Sequence, residues 1–394
     1  MSSKMLSVAE ALASAILAVA ILGAPAHAAG PAPRPAQDQV AAGSPEASGE
    51  RARRVPLGLD LYMPIPRGNP MTVAKIALGR RLFFDPILSD DGELSCVGCH
   101  DPELAFTDGK RVAEGVYGRR GQRNAPTLVN RGYGKSFFLD GRAATLEEQV
   151  LVPIEGEDEL ATRVDDAVER LRAERGYVGE FRSAFGTGPD RESLAAALAS
   201  YVRTIVSGNA PIDRFRFGEA DALTGSQQEG MRVFRGKGNC TACHVGPSFT
   251  DEDFHNTGVA WRPAGGKARM DRPADGGRGT AGVLPSPARA AGGEIVAVQP
   301  EGPLDPGRYA VTGAEADLGA FKTPTLREVA RTAPYMHDGS LATLADVVDF
   351  YDDGGHPNPH LDRRIRPLRL TSREKAALLA FLQAFSGEIS EDVR

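Results

Sequence analysis

Cys96-Val97-Gly98-Cys99-His100 and Cys240-Thr241-Ala242-Cys243-His244 repeat one pattern: two thiols three residues apart, with an imidazole directly after the second. On one helical turn, positions i, i+3 and i+4 share a face. Both sulfurs can then form thioethers to the vinyl groups of one haem while the histidine nitrogen reaches its iron. A pair of disulfides and a zinc site are the competing readings. A disulfide gives no reason for histidine after each pair, and zinc sites more often set one Cys-x-x-Cys against a second Cys or His pair. The chain has four cysteines, and two covalently bound haem c groups consume all of them.

Around these motifs lie 394 residues, enough for two or three domains. A net charge of −6 with 25% charged residues is mild and gives no footing for nucleic acid. Residues 1–28 read as a secretory signal, with Lys4 as the positive start, an apolar run from Ala11 to Leu22, and Ala26-His27-Ala28 as a small-x-small cleavage site. The run is short for a spanning helix, so no membrane span is expected after cleavage. Haem c is attached on the outer side of the bacterial inner membrane, so a periplasmic protein is expected.

Residues 29–55 are rich in Ala, Pro and Gly without periodicity and read as a disordered leader. Pro70 suits the first turn of a helix with Val73, Ile76, Ala77, Leu82 and Phe83 inward, stopped before Asp85-Pro86. Residues 101–145 form a long glycine-rich loop that covering a haem would order. Helices are expected at about 165–175 and 177–185, and after Asp190 with Leu194, Ala197, Leu198, Tyr201, Val202 and Ile205 on one stripe. Ser207-Gly208-Asn209 marks the boundary between halves, 56–208 and 209–394. The second half opens with a Ser226–Glu229 capping box, and residues 258–313 read as a wrapping loop. Thr343–Asp346 opens a helix that puts Leu344, Val347, Val348 and Tyr351 on one face, and Thr371–Glu374 opens the last one. Strand patterns are almost absent.

The strings LGRRLFFDPILS before the first motif, RNAPTLVN at 123–130, DGRAATLEEQVLVPI at 140–154, FKTPTLREVARTAPYMHDGS at 321–340 and TLADVVDFY at 343–351 occur in order. With them the chain resembles the bacterial di-haem cytochrome c peroxidase and MauG family from about Leu78 to Gly387. The resemblance implies a mainly α fold: two cytochrome c-like helical haem domains with long loops and little β structure. It also implies that the N-terminal haem reacts with hydrogen peroxide and the C-terminal haem relays electrons.

Peroxide cleavage needs a base to move a proton between the two oxygens and a dipole to orient them. The family's glutamine, proline and glutamate fall on Gln149, Pro153 and Glu159, with Glu157 as the fallback in the same acidic run. Family peroxidases also place a blocking histidine after the first motif. Residues 101–123 contain none, leaving Lys110 and Tyr117 as the nearest candidates, so an open or water-filled sixth position is expected, as in MauG-like members. In the family the second haem takes a methionine or a tyrosine fourteen residues beyond the PYxH histidine. Counting from His337 gives Tyr351, with His356, His360, Met270 and Met336 as competitors. A tyrosinate is a hard anionic donor that favours ferric iron. One calcium ion is implied through Asn124, Thr332 and the Pro334 carbonyl, with water completing the shell.

One departure concerns the family's tryptophan before the DGR string, which here is Leu139; the single tryptophan is Trp261. Leucine cannot serve as an oxidised hopping station. The expected partners are hydrogen peroxide and an electron source, either a small cytochrome c or other redox protein, or a protein substrate. The rival reading is a non-enzymatic di-haem electron-transfer cytochrome.

Overall fold

The computed structural model describes residues 55–261 and 304–391. The expected signal at 1–28, the leader up to residue 54, Met270 and most of the 258–313 loop lie outside these described residues. The first half contains α1 (Val73–Phe84), α2 (Leu146–Gln149), α3 (Val152–Glu155), α4 (Val164–Ala173), α5 (Arg175–Phe185), α6 (Arg191–Val202) and β1 (Ile205–Gly208). The second contains α7 (Pro211–Arg216), α8 (Gly225–Arg235), β2 (Phe254–His255), α9 (Tyr309–Thr312), β3 (Phe321–Lys322), α10 (Leu344–Asp352), α11 (Ser372–Gln383) and β4 (Glu388–Glu391). The architecture is mostly helical with little sheet. Among the described residues no helix is long and apolar enough to cross a membrane.

Two hydrophobic cores divide the molecule. One gathers Leu78, Leu82 and Phe83 of α1 with Leu194, Leu198 and Tyr201 of α6, and Cys96 packs against it. The other gathers Val233 and Phe234 of α8 with Leu378, Phe381 and Phe385, and Cys240 packs against it. The helix pairs cross by the same device. A Cβ on Gly79 would lie 2.0 Å from the Ala197 carbonyl oxygen, and one on Gly230 would lie 1.9 Å from that of Ala377. Only glycine lets the two backbones approach so closely.

That contact explains one correction. Val73 and Ala77 are exposed, and the buried face of α1 runs through Ile76, Leu78, Gly79, Leu82 and Phe83, because Gly79 must face α6. The cap is Thr72, whose hydroxyl accepts the Lys75 amide at 3.3 Å, so Pro70 precedes the helix. Ile205 leaves the α6 stripe and starts β1, which pairs antiparallel with β4. Helix α8 begins ahead of the Ser226–Glu229 box: Thr224 and Gln227 exchange bonds of 3.2 and 2.9 Å. The Thr343–Asp346 and Thr371–Glu374 boxes form as expected.

Candidate haem centres

Each motif folds as a 3-10 turn. The His100 amide donates to the Cys96 carbonyl at 3.0 Å and the His244 amide to the Cys240 carbonyl at 2.9 Å. The four thiols are unpaired, which removes the disulfide reading. His100 Nδ1 lies 3.0 Å from the Phe106 carbonyl oxygen, and His244 Nδ1 lies 2.9 Å from that of Phe249. A carbonyl can only accept, so each Nδ1 donates and each Nε2 keeps its lone pair free for a metal. Burial holds both imidazoles below the usual histidine range, in the neutral, ligating form.

The loops presenting these carbonyls are built alike. Phe106 and Phe249 both have left-handed backbones, with φ of 60° and 51°. Thr127 Oγ1 donates to the Ala105 carbonyl and Thr325 Oγ1 to that of Ser248, each at 2.6 Å. Two Pro-Thr-Leu segments, at 126–128 and 324–326, thus hold the two ligand loops.

Above the first motif, α2 ends at Gln149 and Pro153 lies in the first turn of α3. The Pro153 carbonyl accepts the Leu160 amide at 3.1 Å, and the Glu159 carbonyl accepts the Val116 amide at 2.8 Å. These bonds fix the turn carrying Glu159. Its carboxylate is half-buried and accepts no hydrogen bond from the described residues. Burial raises its pKa, with Arg142 opposing and Asp158 adding. Its charge in turn helps raise the thiols of Cys96, to about 12, and Cys99, to about 11, after the larger effect of their own burial. The Glu114 carbonyl lies 3.9 Å from Cys99 Sγ and Val116, two residues on, donates to the Glu159 carbonyl, so the turn carrying Glu159 lies beside the first motif. Glu157 is exposed, and its carbonyl is taken by Arg119 at 3.0 Å. Tyr117 is 61% exposed and donates its hydroxyl to Asp90 at 2.7 Å, while Lys110 pairs with Glu114 at 3.1 Å.

Near the second motif, Tyr351 lies in the last turn of α10, half-buried, with its hydroxyl bonded to no described residue. Burial raises its phenol well above the ordinary tyrosine range, and the charges of Cys243 and Cys240 add to this. The thiol contributions vanish once the sulfurs are thioethers, leaving burial. His356 Nδ1 is 3.0 Å from the Trp261 carbonyl oxygen, and His360 stacks on Trp261 at 6.3 Å. Met336 is half-buried, in a left-handed turn at φ 74°.

Cys243, Asp251 and His255 bring one ligand atom each within 4.8 Å of one another. Attachment of haem takes the sulfur, and what remains is an ion-pair cluster. His255 lies 2.9 Å from both Asp251 and Asp362; the bond to the Cys243 thiol that most raises its pKa is lost on attachment, and the Asp251 carboxylate continues to raise it against burial.

The Asn124 amide nitrogen donates to the Lys110 carbonyl at 2.8 Å, and Thr332 Oγ1 to that of Val329 at 3.3 Å. Asn124 Oδ1 and the lone pairs of Thr332 accept no hydrogen bond from the described residues. The Asn124 backbone amide binds the carbonyl of His337, whose ring stacks on Phe321 at 3.9 Å.

Two charged clusters escape sequence reasoning: Asp213 with Arg327, and Arg131 with Glu252 and Lys322. Arg327 and Lys322 both stand in the FKTPTLRE string, but their carboxylate partners lie 114 and 70 residues away along the chain.

A family model described as di-haem cytochrome c peroxidase matches residues 73–221. The methylamine utilization protein MauG of Methylorubrum extorquens is 37% identical over 328 residues, 83% of this chain and 82% of its own. Cytochrome c551 peroxidase of Pseudomonas aeruginosa is 31% identical over 337 residues, 83% of this chain and 85% of its own. A crystal structure of a MauG-like protein associated with microbial copper homeostasis superposes with a TM-score of 0.68 at 33% identity, covering 84% of this chain and 95% of that one. Four free cysteines, two histidines with free Nε2 atoms and these relatives agree: the chain belongs to the di-haem cytochrome c peroxidase family, as an oxidoreductase with two covalently bound haem c groups.

Proposed function

We propose that the chain is a periplasmic, MauG-like di-haem peroxidase. When bound, the haem on His100 supplies the redox centre at which hydrogen peroxide is reduced to water by two electrons and two protons. Glu159 takes a proton from one peroxide oxygen and returns it to the other, and the Gln149 amide orients the pair. Pro153 holds the turn between them and narrows the space. Tyr351 would serve as the second protein ligand of the haem held by His244, which would supply an electron relay. Electrons come one at a time from a small cytochrome c, another redox protein or a side chain of a protein substrate. Asn124, Thr332 and the Pro334 carbonyl would hold a calcium ion, with water completing its shell. The two separate hydrophobic cores support two cytochrome c-like haem domains, 56–208 and 209–394, and the apolar run at 11–22 followed by Ala26-His27-Ala28 supports export of the chain after cleavage of 1–28.

The observation that carries this reading is the difference between the two far faces. A half-buried carboxylate without a hydrogen-bond donor lies on the side of Cys96 and Cys99, and a half-buried phenol on that of Cys240 and Cys243. The first suits proton transfer and the second suits ligation. Mixing diferric protein with one equivalent of peroxide under stopped flow tests it. A Soret change within seconds is expected; an inert spectrum would leave only electron transfer.

A further inference from the structure

Strand β3 is two residues long, and its second residue turns a charged side chain inward. The Lys322 side chain is 6% exposed. Its amide donates to the Leu139 carbonyl at 2.7 Å, in the first half, and the next carbonyl, of Thr323, accepts Thr250 Oγ1 at 2.6 Å, just after the second motif. The ammonium lies in the seam between the segments that follow the two haem motifs.

Its neighbours there do not balance it. Glu252, 7% exposed, is held by two Arg131 nitrogens at 2.7 and 3.2 Å and by the Lys135 amide at 3.1 Å. Lys322 Nζ reaches Glu252 Oε1 only at 3.6 Å, longer than a hydrogen bond, and finds no acceptor at bonding distance among the described residues. One carboxylate thus faces two cations. A buried charge without a partner costs several kcal/mol. Burial and Arg131 push Lys322 down to about 7 against the pull of Glu252, so at neutral pH the polypeptide alone holds only part of its charge.

A second anion beside the ammonium would complete the cluster, and each haem c brings two propionate carboxylates. We propose that Lys322 is the counter-ion of a haem propionate, positioned by the Arg131–Glu252 pair at the seam between the two halves. The proposal rests on the two bound haems and stands or falls independently of the peroxide assignment. Lys322 is a positioning residue, acting on haem potential through that carboxylate.

The test is spectroelectrochemical titration of the two-haem protein, with resonance Raman bands of the propionates, in wild type, Lys322→Met and Lys322→Arg. Removing the cation leaves a propionate charge that favours ferric iron. In Lys322→Met the ferric-to-ferrous ratio of one haem should rise about tenfold at fixed potential, a fall of about 59 mV for a one-electron couple. The propionate band of that haem should shift as well, and arginine should restore both. Unchanged potentials and bands in a Lys322→Met protein carrying two haems overturn the proposal. If the methionine variant does not mature, Lys322→Gln decides: a potential lowered by a similar amount upholds it, and wild-type values overturn it.

Discussion

Arg327 and Asp213 form an ion pair from which solvent is wholly excluded, with Arg327 Nη2 2.9 Å from Asp213 Oδ1 and Nη1 against Oδ2. The guanidinium also donates to the Pro247 carbonyl at 3.0 and 2.7 Å and to that of Gly58 at 3.0 Å. It thereby pins the loop whose Phe249 carbonyl orients His244. Removing one partner of such a pair costs about 3–5 kcal/mol, because the other charge stays buried and unpaired. Arg327→Ala should lose that much in denaturant unfolding followed at the Soret band. The double change Arg327→Met with Asp213→Leu should lose clearly less; equal losses would mean that unpaired charge is not the cause.

Glu159→Gln should slow the peroxide-dependent Soret change by about 10²- to 10⁴-fold, the usual worth of a general acid–base group. Glu157→Gln, at an exposed site, should leave it within a factor of two or so. Since burial raises the Glu159 carboxyl, the wild-type rate should fall as pH drops through a value above the ordinary glutamate range, and the glutamine variant should lack that limb. The stability sign runs the other way. A raised folded-state pKa favours the fold while Glu159 is protonated, and that contribution is lost as pH rises through the same value.

Low-temperature EPR of the resting protein should show one high-spin and one low-spin haem. Tyr351→Phe should alter the low-spin signal alone. Two low-spin signals indifferent to that change would remove Tyr351 as a ligand.

Calcium should be retained at one equivalent per chain after dialysis, measured by atomic emission, and lost in an Asn124→Ala, Thr332→Ala protein. A wild-type protein without calcium would remove the site.

By itself the sequence determined the covalent chemistry and the local starts. Cys96–His100 and Cys240–His244 state their own attachment geometry, because a thiol–thiol–imidazole spacing works on one turn of chain. Thr343–Asp346 and Thr371–Glu374 closed as capping boxes because both partners of each bond sit within four residues. Where a competing local bond existed, the local signal misled: Thr224 captured the cap assigned to Ser226, and Thr72 displaced Pro70. Tertiary contact decided the rest. Gly79 rotates α1 against Ala197, which exposes Val73 and Ala77 despite their apolar character. Burial separates Glu159 from Glu157 two residues away. The Phe106 and Phe249 carbonyls that orient His100 and His244, and the partners that crowd Lys322 and Arg327, come from segments brought together only by folding. Charge and solvent exclusion depend on neighbours in space, and no periodicity along the chain records them.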